Sequence, residues 1–131
     1  MKKKKIWMIV IVLSLIIGVT FAVYSSSSQV FLKKTVSHVL DINENLTDSN
    51  QKLLREYLLS TFKKEKLKSI TYSADKIKDG EDSVEYIVRF STIEYENGDN
   101  SLVKVIEHNF DIFLKKKDYF DWYIEKLKEV R

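Results

Sequence analysis

The stretch Met1 to Tyr24 constrains this chain more than any other. Four lysines, Lys2, Lys3, Lys4 and Lys5, precede IWMIVIVLSLIIGVTFAVY, which carries no charge from Ile6 to Tyr24. At about 1.5 Å per residue that run makes a helix of about 28 Å, close to the ~30 Å hydrocarbon thickness of a bilayer. The pattern predicts a transmembrane helix over residues 1–24. A lysine cluster ahead of an apolar run stays on the cytoplasmic side, so the C-terminal part is expected outside, on a single-pass anchor. Trp7 and Tyr24 lie near opposite ends of the run, where amphipathic rings favour the two interfaces. The lipid bilayer is thus the first partner the sequence suggests.

A cleaved signal peptide has the same outline: a basic start, an apolar middle and small residues before the cut. Thr20 and Ala22 would be the small pair, with secretion after cleavage near Ala22. The apolar run is longer than such a peptide needs, which favours a retained anchor. Lipid attachment would need a cysteine, and the chain has none. Residues 25–29, with four serines from Ser25 to Ser28, read as a short spacer, although a serine hydroxyl also suits a helix N-terminus. Residues 30–131 then form one domain by length.

The formal charge of +3 belongs to the leader. Without its four lysines, 22 − 4 leaves 18 basic residues against 19 acidic ones. A nucleic-acid binder carries its basic face on the folded part, so that class is set aside. An exported chain without cysteine has no disulfide staples, which suits a bacterial surface. Asn45-Leu46-Thr47 matches a glycosylation acceptor, but Thr47 and Asp48 read better as the start of a helix.

Leu32, Val36, Val39 and Leu40 fall at i, i+4, i+7 and i+8, one apolar stripe of a helix over Gln29 to Asp41. Asp48 with Gln51 three residues on resembles a capping box. Leu46 before it can staple onto the first turn. Leu53, Leu54, Tyr57, Leu58 and Phe62 continue a second helix to about Lys64, with Lys63, Lys64, Lys66 and Lys68 suited to the negative pole at its end. From Ser69 the period drops to two. Ile70, Tyr72 and Ala74 mark a first strand, and Lys78 to Asp82 a turn centred on Asp79-Gly80. Val84, Tyr86, Val88 and Phe90 mark a second strand reaching about Tyr95, and Asn97-Gly98 a hairpin turn. A third strand follows through Leu102, Lys104, Ile106, His108, Phe110, Ile112 and Leu114. A fourth holds Phe120, Trp122 and Ile124, with Leu127 to Arg131 fraying outward or adding a short terminal turn. Helices first and antiparallel strands after them define an α+β class: a transmembrane helix, then two helices on a four-stranded antiparallel bent sheet.

The C-terminal pattern, Asn109-Phe110-Asp111-Ile112-Phe113-Leu114 through the polar turn at Lys115-Lys116-Lys117-Asp118 to Trp122-Tyr123-Ile124, resembles the nuclear-transport-factor-like (cystatin-like α+β) superfamily. The resemblance covers about Val30 to Val130. It implies a strongly bent sheet under two helices. It also implies kinship with extracytoplasmic scaffold subunits of secretion and conjugation systems, and in some relatives a conical pocket with Asp, His or Tyr. Lys76 to Asp82 is too short for the third helix usual in that family, which argues against an enclosed pocket.

The candidate chemistry is thin. His38 and His108, the only histidines, could meet in space, yet no ligand spacing accompanies them. Asp75, Asp79, Glu81 and Asp82 surround Gly80, but Ile77 stands where a calcium loop needs a ligand. Both features read better as solvated or sheet positions, so no catalytic, cofactor or metal residue is assigned. The strands are dense in aromatics, enough to fill a core and leave some for a partner. The expected function is a membrane-tethered extracytoplasmic binding or scaffold module in a bacterial envelope, contacting a protein partner or its own copies. The alternative is an exported small-molecule binder or enzyme with a cup-shaped pocket. A third reading has the span itself pairing with another membrane protein through Ser14 and Gly18.

Overall fold

A computed structural model describes the backbone of residues 2–25, 27–95 and 103–130, and the side chains of all of these except 2, 20–25, 95 and 103. The order is α1 (Lys2–Ser25), α2 (Ser28–Leu40), α3 (Ser49–Thr61), a 3₁₀ segment (Lys64–Ser69), β1 (Thr71–Asp79), β2 (Ser83–Tyr95), β3 (Val103–Lys116) and β4 (Trp122–Val130). The four strands form one antiparallel sheet in the order β1-β2-β3-β4. The class is α+β, with three helices followed by the sheet. The expected hairpin turn at Asn97-Gly98 and Leu102 of the expected third strand lie outside the described residues.

The N-terminal expectation is corrected. The helix forms, with Ile6, Trp7 and Leu15 all more than half exposed. Among the described residues no helix is long and apolar enough to cross a membrane. The transmembrane helix, the signal anchor and the single-pass localisation are therefore not borne out. Lys2, Lys3, Lys4 and Lys5 form the first turn of α1, and Trp7 is an exposed helix residue. The side chains of Tyr24 and of Ala22, the alternative cut, lie outside the described set.

The serines after α1 are part of the fold. Ser27 caps α2, its hydroxyl accepting from the amide of Val30. Ser28 is buried and its Oγ lies 2.8 Å from the Tyr86 hydroxyl. Asp48 caps α3 by accepting from the amides of Asn50 and Gln51, as the capping pattern predicts. The helix stops at Thr61, and the lysines expected at its end continue as the 3₁₀ segment.

The core lies between the helices and one face of the sheet. Leu32, Val36 and Val39 of α2 and Leu54 and Leu58 of α3 meet Val88, Phe90, Phe110 and Ile112. Phe110 is fully buried and packs edge-on to Phe90 with ring centroids 5.7 Å apart. Tyr86, Phe90, Phe110 and Trp122 fill the space beneath the helices. Burying each such large apolar side chain stabilises the fold by about 1.5–3 kcal/mol. No member of this core comes from the described side chains of α1.

The last strand differs from its expected bounds at both ends. Phe120 is 64% exposed in the turn before β4. There the Asp118 carboxylate accepts from the amides of Phe120 and Asp121. Leu127 to Val130 does not fray: it pairs with β3, Leu127 opposite Ile112.

Candidate functional site

The two histidines do not meet. His38 is half exposed on α2, with Nδ1 3.5 Å from the Glu44 carboxylate. His108 of β3 has Nδ1 2.7 Å from the Thr61 hydroxyl and Nε2 3.3 Å from the Glu129 carboxylate. Its ring lies against Phe110 at 4.4 Å. This hydroxyl–imidazole–carboxylate chain ties the last turn of α3 to β3 and β4.

The acidic group near Gly80 is dispersed. Asp75 pairs with Arg89 at 3.4 Å and Asp79 with Lys76 at 3.5 Å. Among the described residues no group of His, Cys, Asp or Glu could hold a metal ion.

The feature with the geometry of a binding site is a groove between α2 and β1. Sheet order leaves β1 at an edge, paired with β2 alone. All nine of its residues are exposed. One hollow of about 560 Å³ opens between α2 and the start of β1, floored by Val36, Leu40, Leu67, Ile70 and Tyr72. A second, of about 270 Å³, continues along the helix toward its N-terminus over Leu32, Ala74 and Tyr86. Lys33 and Tyr72 line both, so the two form one trough. Of the α2 stripe that the sequence shows, Leu32, Val36 and Val39 are buried, and Leu40 at its edge is partly buried against the core.

Both ends of the trough are fixed. At one end the Ser28–Tyr86 hydrogen bond holds the start of α2 to β2. At the other, Arg55 of α3 grips the end of α2. Its guanidinium donates to the carbonyls of Val39 at 3.0 Å, Glu44 at 2.9 Å, His38 at 2.8 Å and Asp41 at 2.6 Å. These are carbonyls at or just beyond the negative pole of the helix dipole, where a cation is favoured.

The rim carries Lys33 and Lys68, and Asp41, whose carboxylate already accepts from the amide of Asn43. Tyr72 stands between them, and burial raises its pKa above the ordinary phenol value of 10.0. Sequence reasoning placed Tyr72 on the first strand but not at a groove. The signal available was the short side chains of Thr71, Ser73 and Ala74 around Tyr72, on a strand with few large side chains to cover its edge.

No family model, no curated protein and no solved structure matches this chain.

Proposed function

We propose that the domain is a protein-binding module whose partner seats in the groove between α2 and β1. One observation carries this reading: a partly apolar trough runs directly beside an unpaired strand edge, so a partner can gain apolar burial and backbone hydrogen bonds at one place. Pre-formed ends at Ser28–Tyr86 and Arg55–Asp41 keep the trough open without a partner, which lowers the ordering cost of association. The helix–helix–meander order supports kinship of fold with nuclear-transport-factor-like domains, as a proposal only, and kinship of fold names no ligand.

The test is site-specific crosslinking in the full chain, in the cells that express it. A photoreactive residue replaces exposed Ser37 in the groove or exposed Glu56 on α3. The groove position is expected to give a discrete product that the control lacks, and Tyr72→Ala is expected to abolish it. Equal labelling from both positions, or no product at Ser37, overturns the reading.

A further inference from the structure

Resting on that reading, we infer that the groove's guest is an extended segment, alternating apolar and polar, with an acidic residue beside the apolar run, which joins the sheet as a fifth strand next to Thr71–Ala74.

The edge of β1 is divided. Its second half carries Asp75, Lys76, Lys78 and Asp79 and a register break between Lys76 and Lys78. Charges and a bulge are what closes a strand edge to further pairing. Its first half, Thr71 to Ala74, has neither. That open half is the one flanked by the groove: Tyr72 lines both hollows and Ala74 one.

An edge strand directs alternate N–H and C=O groups outward, so an incoming strand finds hydrogen-bond partners there. Such a strand would lie about 4.8 Å from β1. Its alternate side chains would then divide between two environments. Those on the side of Tyr72 and Ala74 enter the trough above Val36 and Ile70. Those on the side of Thr71 and Ser73 stay in water near Arg89, which pairs with Asp75. The division calls for a period of two in the guest. A helix, about 10–12 Å across with its side chains, would use the trough but leave the edge unpaired.

Charge sets the flank. Lys33 faces both hollows and Lys68 the larger one, while Asp41 supplies the one carboxylate on that rim. The lining thus carries one positive charge in excess, and an acidic guest residue is favoured over a basic one beside Lys33.

The experiment uses the full chain and an array of capped synthetic peptides. The parent is Glu-Val-Thr-Val-Thr-Val. Its counterparts are a proline-interrupted version, a version with lysine in place of glutamate, and an alanine-rich amphipathic helical peptide of equal length. The parent is expected to bind about tenfold or more tighter than each counterpart, and to slow amide exchange within Thr71–Ala74. Lys33→Glu, an exposed change on α2, is expected to reverse the preference between glutamate and lysine. Binding that ignores alternation, protection elsewhere in the sheet, or no binding by any peptide overturns the fifth strand. So does exchange that slows with protein concentration alone, which would make a second copy the occupant. If the Ser37 crosslink still forms in such a case, the groove reading stands without the strand. If that crosslink also fails, both fall.

Discussion

Arg55 Nη2 lies 2.6 Å from the carbonyl oxygen of Asp41, the shortest of four hydrogen bonds by which one guanidinium closes the end of α2. Hydrogen bonds to charged groups contribute about 1.5–3 kcal/mol each when a partner would otherwise go unsatisfied, but these four share one side chain and partly exposed acceptors. Arg55→Met should lower unfolding free energy by about 2–3 kcal/mol. Arg55→Lys should recover only a small part, because an ammonium cannot span the fork. Denaturant titration of the three proteins decides it; equal stability of the methionine variant would remove the clamp from the account.

The Ser28–Tyr86 pair makes a different demand. Both hydroxyls are buried and 2.8 Å apart. Tyr86→Phe should cost about 1–2 kcal/mol, since it orphans the serine. Ser28→Ala should cost a similar amount, and the double variant scarcely more than either. A double-mutant cycle by chemical denaturation measures the coupling, and simple additivity would show the two hydroxyls to be independent.

Tyr72 predicts a pH dependence. Burial raises its pKa above 10.0, so the fold favours the neutral phenol. A raised folded-state pKa leaves the contribution whole below the unfolded value of about 10 and loses it as pH climbs through the folded value. Stability should therefore fall above pH ~10 more in the parent than in Tyr72→Phe. Parallel decline of the two denaturation midpoints would contradict this.

The core draws nothing from the described side chains of α1. A chain beginning at Ser27 should keep the cooperative unfolding of the full chain, with Tm changed by less than about 4 °C, equivalent to under ~1 kcal/mol. Calorimetry of both chains checks this, and a larger drop would make α1 a structural partner of the domain.

What could be read in advance was local. Asp48 and Gln51 announce the start of α3 because a cap involves neighbours only. The alternation from Val84 to Phe90 gives β2 because one face is buried. The failures have equally definite causes. The register break between Phe113 and Leu114 shifts the parity of β4, so Leu127 falls out of step with Trp122 and Ile124 and its strand looks like a frayed end. Lys78 and Asp79 read as the start of a turn, yet they close an edge strand, where charges are tolerated and useful. Phe120 alternates with Trp122 but is held in a turn by Asp118, whose carboxylate binding two residues ahead is a recognisable signal. The uncharged run from Ile6 to Tyr24 reads as a span, yet among the described residues no helix is long and apolar enough to cross a membrane. The groove was hidden for another reason: it joins Lys33 to Lys68 and Tyr72, and that juxtaposition exists only once α2 has docked.

The uninterrupted β1-β2-β3-β4 order has a kinetic consequence. Every strand zips onto the one made just before it, so the sheet can grow by successive hairpin closures, each an event of about 1–10 μs. No strand waits for a distant partner, which keeps loop-closure entropy low. With no proline anywhere in the chain, refolding has no slow isomerisation phase to wait for.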